Sequence, residues 1–481
     1  MFELANLRRY RFGARTEAMQ ADQRQLFQET LLEDEASLQA QLAALQDTLP
    51  PKSDPSAQKA PVRPRRQALP EHLRRVEHRH EPADTTCRNA GCGRPMVRIG
   101  EDISERLDIV PAEFFVHRHV YGKWTCRCCQ TLVQEPAQRE VVDGGIPASG
   151  LLAHTLVARF ADHLPYYRQE EINARSGVAT PRATLAAWAG HAGAALEPLY
   201  DAHKSFVPGA RILQADETPV PLLDPGSGKT RKAYVWAYAR GELDPERGVI
   251  FEFCKGRGAR YPTAFLNGER TWSGTLLTDR YAGYTAVLDP RLYPERRGAG
   301  CAAHVRRKFD ELAQSGTSAV GREALERFSR IYHLEGQFAV LSPQARRQAR
   351  QEVMLPCWSE LKVWLELERR RVPDGGPTAA AIDYTLTHWA ALTLHLDDGE
   401  LPIDNNFLER QIKPWQMGRK NWLFAGSELA GQRAAMVMSL IQSARLNGHD
   451  PWAYLSDVLA RLPQHPQRSI DLLLPHRWQP G

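Results

Sequence analysis

The spacing of apolar residues changes several times along the chain, and each spacing predicts a different kind of element. Residues 17–49 contain no Gly or Pro and place Leu31, Leu38 and Leu45 seven positions apart. This pattern predicts an N-terminal helix over residues 1–49, which is either a shortened coiled coil or an amphipathic helix packed on its own protein.

Short apolar runs rich in β-branched and aromatic residues begin near residue 208. RILQAD, KAYVWAYAR and GVIFEFCKG predict three successive strands of a meander, YPTAFLNG predicts a helix, and GTLLTD predicts a further strand. RILQAD ends on Asp216 and GTLLTD ends on Asp279, so we expect both aspartates at strand ends. Strand ends are where a rigid sheet presents side chains to a cleft.

Helical spacing dominates the remainder of the chain. It covers residues 305–400, and a final helix that carries Glu409 is predicted to begin near Asn405. The Asp-Asn-Asn sequence at 404–406 suits a helix start, because short polar side chains cap exposed N–H groups. A mostly helical tail follows to about Arg461.

The segment YYRQEEINARSGVATPRATLAAWAGHA predicts two helices around a tight turn. The Ser-Gly pair at 176–177 is predicted to end the first helix, and Thr180-Pro181 to begin the second with a cap and a first-turn proline. We expect Leu185 and Trp188 to pack inward. Arg182 would then lie where a helix-turn-helix contacts DNA, although an ordinary helical hairpin explains the same pattern.

Composition indicates a folded protein of several domains. The chain has 481 residues, of which 42% are hydrophobic and 25% are charged, and this excludes a wholly disordered or fibrous chain. No apolar run approaches the length of roughly 18 residues that a transmembrane helix needs. The first residues also lack the apolar core of a signal peptide, so we predict a cytoplasmic protein.

The net charge of +5 is concentrated in one stretch. From Lys52 to Arg79 there are eight Lys or Arg and three Asp or Glu, together with several prolines. Proline at this density predicts an extended linker over residues 50–80. The linker either neutralises DNA phosphates or serves only as a soluble tether.

Five of the eight cysteines lie between residues 87 and 129. In a reducing compartment, clustered cysteines favour metal binding over disulfides. Four of them would hold a structural Zn²⁺ ion in a module over residues 81–140, and the alternative is a set of unliganded thiols. The predicted zinc ligands are Cys87, Cys92, Cys126 and Cys129.

Asp216, Asp279 and Glu409 form a candidate catalytic group. Two Asp and one Glu can hold two Mg²⁺ (or Mn²⁺) ions for in-line attack at phosphorus. A pair of carboxylates can equally flank a glycosidic bond. Nearby basic residues favour a polyanionic substrate, and they are candidates for DNA contact. These residues are His304, Arg306, Arg307, Lys308, Arg410, Lys413, Arg419 and Lys420.

Eight segments in order along the chain resemble the transposases of the insertion sequence 66 family, from about residue 8 to residue 478. They are RYRFGARTE, EDISERLDIVPAEFFV, LLAHTLVARFADHLPYYRQ, LQADETPV, LLTDRYAGY, CAAHVRRKF, IDNNFLERQIKPWQMGRKNWLF and NGHDPWAYLSDVLARLP.

The resemblance implies a multidomain α+β or α/β protein with a ribonuclease H-like catalytic core, a helical insertion, a zinc module and a helix-turn-helix-like segment. Asp216, Asp279 and Glu409 match the family's DDE triad. The implied reaction is metal-dependent cleavage at transposon ends, followed by attack of the freed 3′-hydroxyl on target DNA. The four cysteines map to the family's zinc domain, but the first pair is spaced C-x4-C where the family usually has C-x2-C.

The resemblance also implies partners: double-stranded DNA, a second copy of the chain, and accessory proteins of the same element. The protein would be associated with the nucleoid when bound to DNA. The alternative function is a non-catalytic DNA-binding protein derived from a transposase. The predicted core comprises residues 208–304 and 401–445, the helical insertion 305–400, the DNA-binding helices 150–205, and the C-terminal tail 446–481.

Overall fold

The computed structural model describes residues 114–117, 123–125, 132–134, 139–142, 146–224, 229–268, 270–314, 316, 318–422, 425 and 427–480. All of these belong to one compact unit, Ala112–Gly481. The predicted N-terminal helix, the basic linker and the four predicted zinc ligands lie outside the described residues.

A five-stranded mixed sheet forms the centre of an α+β architecture. The strand order β5-β4-β3-β6-β7 contains an antiparallel meander, as predicted, and two strands parallel to β3. Two short strands, β1 (Lys123–Thr125) and β2 (Leu132–Gln134), pair with each other. The sheet strands are β3 (Ile212–Asp224), β4 (Lys229–Arg240), β5 (Val249–Cys254), β6 (Gly274–Thr278) and β7 (Arg296–Gly300).

The prediction that a strand ends on Asp216 is wrong. Strand β3 continues to Asp224 and stays paired with β4 throughout that length. Its parallel pairing with β6, however, stops at Gln214 opposite Leu277. Asp216 therefore lies where the parallel side of the sheet ends, although its own strand continues.

Strand β3 accommodates two prolines, Pro219 and Pro221, beyond Asp216. The Pro221 carbonyl oxygen accepts the Ala425 N–H at 2.9 Å, so it points away from β4. A missing N–H on that side removes no hydrogen bond from the β3–β4 ladder. Pro219 lies two residues earlier and therefore faces the same side.

The start of β6 requires glycine. Gly274 has φ +145°, and a Cβ at this position would lie 2.1 Å from the Arg211 carbonyl oxygen. The next residue, Thr275, donates its N–H to that oxygen at 2.9 Å. This close approach sets the register that places Asp279, directly after β6, beside β3.

Helices cover both faces of the sheet and extend beyond it. Among the described residues they are α1 (Ser149–Phe160), α2 (Tyr166–Arg175), α3 (Arg182–Phe206), α4 (Arg260–Leu266), α5 (Ala302–Gln314), α6 (Ala319–Phe338), α7 (Pro343–Ala349), α8 (Leu355–Arg371), α9 (Pro377–Thr387), α10 (Trp389–Leu392), α11 (Asn406–Trp422), α12 (Glu428–Leu446) and α13 (Pro451–Arg461). A π-helical turn, Arg350–Met354, joins α7 to α8, and 3₁₀ turns occupy Val207–Gly209, Ala282–Tyr284, Ala286–Leu288, Leu394–Asp397, Leu462–Gln464 and Gln467–Leu473.

Successive side chains along each strand point to opposite faces of the sheet and pack into two different cores. On one face, Val235 and Phe251 pack with Trp415 of α11 and with α12. On the other face, Trp236 and Tyr238 pack with α4 and the 3₁₀ turns after β6. Both faces of the sheet are covered where these side chains pack, so the central parts of β4 and β5 are largely apolar.

The segment between β7 and α11 along the chain has a separate hydrophobic core. It is formed mainly by α5, α6, α8 and α9. At its edge Arg350 is fully buried and donates to the carboxylate of Glu335, at 3.0 Å from Nε. Nη1 of the same guanidinium donates to three backbone carbonyl oxygens between His395 and Leu401, at 2.7–3.0 Å. A buried charge is tolerated here because its partners surround it.

The predicted helix pair is present as α2 and α3, and Leu185 and Trp188 are buried as expected. The predicted start of α3 is wrong in detail. Pro181 occupies the cap position, and the Thr180 hydroxyl makes no cap but accepts the Asn173 amide at 2.7 Å. This hydrogen bond links α2 to the residue just before the start of α3, and it takes the place of the expected cap.

None of the described helices combines the length and apolar character that a membrane crossing requires.

Candidate active site

Asp216 is a partly buried residue on the central strand, and its carboxyl group lies among other acids. Burial raises the pKa of Asp216 well above its usual range, and the charges of Glu217, Asp279 and Glu409 raise it further. The Glu217 N–H, which donates to Asp216 Oδ1 at 2.8 Å, opposes this shift. The structure therefore brings the three predicted acids close enough to influence one another.

Asp279 begins the turn that follows β6. Its Oδ1 accepts the Tyr281 N–H at 2.8 Å, and its backbone oxygen accepts the Tyr384 hydroxyl at 2.7 Å. The first bond fixes the carboxylate on the turn, and the second ties the turn to α9. The next residue, Arg280, has φ +67°, a left-handed conformation that turns the chain sharply away from the sheet.

Glu409 lies in the first turn of α11, and this helix start is attached to β3. Asn405 is fully buried, and its amide donates to the Ala215 carbonyl oxygen at 3.1 Å and accepts the Gln214 amide at 3.1 Å. Asp404 accepts the Asn406 N–H at 2.9 Å and the Tyr332 hydroxyl at 2.8 Å. These bonds hold Glu409 next to the strand that carries Asp216.

Helix α5 approaches Glu409 from the other side. The Nδ1 atom of His304 lies 3.7 Å from Glu409 Oε1, and Nη2 of Arg307 lies 3.3 Å from Glu409 Oε2. Cys301, directly before the helix, is buried, and burial raises the pKa of its thiol to about 12. Two of the predicted basic residues therefore adjoin the acidic group.

An ion pair beside the acids, between Glu217 and Arg257, was not anticipated from the sequence. Glu217 has a fully buried side chain that accepts the Tyr284 hydroxyl at 2.9 Å and pairs with Arg257 at 2.5 Å. The Arg257 guanidinium lies 3.7 Å from the centre of the Tyr281 ring and interacts with the Asp279 charge. Burial raises the pKa of Glu217, and Arg257 opposes that shift. Only the position of Glu217 next to Asp216 hinted at this role.

The other basic candidates lie in different surroundings. Arg306 is exposed on α5, whereas Lys308 lies 4.4 Å from the centre of the Tyr384 ring. Arg410 pairs with Glu242 at 3.0 Å, and Lys420 is exposed on α11. These contacts do not include any of the three predicted acids.

Arg182 and Arg419 remain untested as DNA contacts. Arg182 is exposed at the first position of α3, a helix whose buried residues pack with α1, α12 and α13. Arg419 lies on α11, but its side chain lies outside the described residues.

Models of sequence families match most of the chain. A family model described as "Transposase IS66 family" matches residues 144–433, which include all three acids. The chain belongs to the IS66 transposase family. Further models of that family match the remainder: its zinc-finger binding domain at residues 84–130, its C-terminal element at 439–476, and "Transposase C of IS166 homeodomain" at 1–77.

The IS66 zinc-finger match covers all four predicted zinc ligands and supports a structural zinc ion. Two curated relatives come from Sinorhizobium fredii (strain NBRC 101917 / NGR234). The chain is 38% identical to "Uncharacterized protein y4qI" over 91% of its own length and 82% of that protein. It is 36% identical to "Uncharacterized protein y4jD" over 85% and 81% of the two chains.

Proposed function

We propose that this IS66-family protein is a DDE-type DNA transposase in which Asp216, Asp279 and Glu409 bind divalent metal ions during strand cleavage and transfer. The observations that support this most directly are geometric. The parallel pairing of β3 with β6 ends two residues before each aspartate, and the bond from Asn405 to Ala215 holds the start of α11 on β3. The carboxylates on β3, on the turn after β6 and on α11 repel one another, and a divalent cation would offset that repulsion.

The sheet supports a ribonuclease H-like core. Its central strand and the parallel neighbour β6 each supply one aspartate, and both aspartates lie two residues beyond the last residue pair, Gln214 and Leu277. The third acid comes from a helix that packs on the same sheet. Helices α6–α10 lie between β7 and α11 along the chain, where the helical insertion is predicted.

The donor atoms fit hard divalent ions. Carboxylate oxygens are the ligands that Mg²⁺ and Mn²⁺ prefer. Glu409 Oε1 is buried and accepts no hydrogen bond from any described residue, so it is available as a ligand. Two such ions would activate the attacking hydroxyl group and stabilise the leaving oxygen at the scissile phosphate.

The remaining residues of the site would orient DNA. Arg257, held by Glu217, and Arg307, beside Glu409, place two guanidinium groups next to the acids. Guanidinium groups bind phosphate oxygens through paired N–H donors, and their charge persists at every physiological pH. We assign them to the DNA backbone on either side of the reacting phosphate.

The rest of the chain would recognise transposon ends. The zinc-finger match at 84–130 and the match at 1–77 precede the catalytic region, and α2 and α3 add a helical pair that begins its second helix with Arg182. Double-stranded DNA is the proposed partner. A homo-oligomer and accessory proteins of the same element remain predictions.

Cleavage of a supercoiled plasmid tests the proposal. The plasmid carries the terminal repeats that flank the reading frame, and nicked and joined products are quantified with Mg²⁺ and with Mn²⁺. Asp216→Asn should lower cleavage at least about 1,000-fold, because it removes several kcal/mol of transition-state stabilisation. Binding of the ends, measured by gel shift, should change little.

Asp201→Asn is the matched control, since Asp201 is an exposed aspartate on α3. It should cut at the wild-type rate. Cleavage by Asp216→Asn at that rate would show that the triad is assigned wrongly. A wild-type protein that binds the ends but cuts with neither ion would instead be the non-catalytic DNA-binding alternative.

A further inference from the structure

A mixed group of possible metal ligands lies at the junction of β7, α5 and α11. Cys301, His304 and Glu409 each offer one ligand atom, and the three atoms lie within 4.8 Å of one another. Among the described residues this is the only His, Cys, Asp and Glu group that meets this criterion. It overlaps the proposed acidic triad at Glu409 and adds a nitrogen donor to it.

Two atoms of this group lack hydrogen-bond partners among the described residues. His304 Nδ1 and Glu409 Oε1 are both buried, and they face each other across 3.7 Å. This separation is too long for a hydrogen bond. Buried polar atoms are normally satisfied, so two facing unsatisfied atoms indicate that a third group lies between them when the protein works.

The spacing suits one shared ion. Two donors bound to one ion at about 2.1 Å each are separated by roughly 3.0–3.5 Å in octahedral or tetrahedral geometry. Side-chain movements of a few tenths of an ångström would close the observed 3.7 Å to that range. Arg307 contacts the other carboxylate oxygen, Oε2, and leaves Oε1 available.

Cys301 positions the pair and is not a ligand itself. Its sulfur accepts the Asn405 N–H at 3.2 Å, and the residue is 2% exposed. Asn405 in turn attaches the start of α11 to β3. The thiol therefore connects the start of α5, which carries His304, to the start of α11, which carries Glu409.

We propose that His304 Nδ1 is a nitrogen ligand of a divalent ion that Glu409 also binds, so that this position favours Mn²⁺ over Mg²⁺. The inference rests on the proposed function and specifies the ligands of the metal site. Imidazole nitrogen suits transition ions, whereas Mg²⁺ strongly prefers oxygen. A lost nitrogen ligand should therefore affect the response to Mn²⁺ more than the response to Mg²⁺.

Pulsed electron paramagnetic resonance with Mn²⁺ as the probe tests this directly. The full-length protein, purified with its zinc, is titrated with Mn²⁺, and electron spin echo modulation detects nitrogen bound to the ion. The wild-type spectrum should show a histidine nitrogen coupling. His304→Ala should remove it and weaken Mn²⁺ binding at least about tenfold. His154→Gln, which changes an exposed histidine on α1, should leave both unchanged.

The outcomes separate this inference from the proposed function. Mn²⁺ binding that depends on Asp216 but shows no nitrogen coupling would overturn the role of His304 and leave the acidic triad standing. A coupling that persists in His304→Ala would also overturn it. Equal Mn²⁺ binding by the wild-type protein and by Asp216→Asn would contradict both the proposed acidic triad and the inference that rests on it. Cys301→Ser, which keeps a hydrogen-bond acceptor at that position, should retain the coupling.

Discussion

Two regions of this protein bury charge in opposite ways. At Arg350 a fully buried guanidinium faces Glu335 and three backbone carbonyl oxygens, so its charge and its donors are matched within the fold. At Asp216 a buried carboxyl group faces other carboxylates, and Glu409 Oε1 nearby has no hydrogen-bond donor among the described residues. The charges of the first region are matched within the fold, whereas in the second Arg257 and Arg307 balance the acids only in part.

The difference separates stability from function. A matched buried pair contributes to folding chiefly because breaking it leaves a charge without compensation. An unmatched group of like charges destabilises the empty protein and is retained where a cation or a substrate supplies the balance. Substitutions in the first region should therefore reduce stability, and those in the second should reduce catalysis.

Arg350→Met should have the largest effect on stability. It leaves the Glu335 carboxylate and the three carbonyl oxygens without their donor, and removal of one partner from a buried pair costs about 3–5 kcal/mol. Urea unfolding measures the loss. Arg330→Met is the control, because Arg330 is 66% exposed in its pair with Glu360, and we expect a change within about 0.5 kcal/mol. Equal stability of the two variants would contradict the comparison.

Arg257→Ala should reduce catalysis, and it should also cost some stability because the buried Glu217 carboxylate loses its cationic partner. The Arg257 side chain is 40% exposed and lies beside Asp279 and the Tyr281 ring. Loss of one cation aimed at a reacting phosphate should lower cleavage roughly 10- to 100-fold. Arg291→Ala, in which an exposed arginine bound to Asp289 is removed, should cut normally. If Arg257→Ala lowers stability but leaves the cleavage rate unchanged, Arg257 has a structural role like that of Arg350 and no role in catalysis.

His203, a buried histidine whose Nε2 has partners but whose Nδ1 has none among the described residues, provides a smaller, pH-dependent test of stability. Its Nε2 lies 2.8 Å from Ser443 Oγ and 3.0 Å from the Val249 carbonyl oxygen, and burial lowers its pKa to about 4. The unfolded chain takes up a proton at a pKa of about 6.5. Between these values the unfolded state binds more protons, so stability should fall by about 1 kcal/mol per pH unit as the pH drops.

Urea unfolding from pH 7 to pH 5 measures that slope. His203→Gln should flatten it relative to wild type, whereas the exposed His154→Gln should not. An unchanged slope in His203→Gln would mean that other groups set the acid sensitivity. Buried His395, whose pKa burial lowers to about 3, would then be the next candidate.

Local patterns in the sequence sufficed for the strand meander, for β6 and for the helix that carries Glu409, because apolar runs and capping residues determine these elements. They failed at β3, where the run RILQAD was predicted to end on Asp216 and the strand continues to Asp224. Pairing with β4 continues through that stretch, and the two prolines remove no hydrogen bond from it because they face away from β4. Tertiary context overrode local propensity there.

The approach of the three acids followed from the family resemblance, and their catalytic roles remain predictions. The pairing of Glu217 with Arg257 was not predicted, because a contact between residues 40 positions apart leaves no mark in local spacing. The four zinc ligands were predicted from cysteine spacing. They lie outside the described residues, so their geometry is still a prediction.

The hydrogen bond from Asn405 to Ala215 joins residues 190 positions apart. A nascent chain that has left the ribosome only as far as β6 carries Asp216 and Asp279 but lacks the third acid. Under the proposed mechanism, synthesis of the enzyme is thereby separated from its action on the genome. The polypeptide becomes able to break DNA only after translation has passed Glu409 and α11 has docked on the sheet.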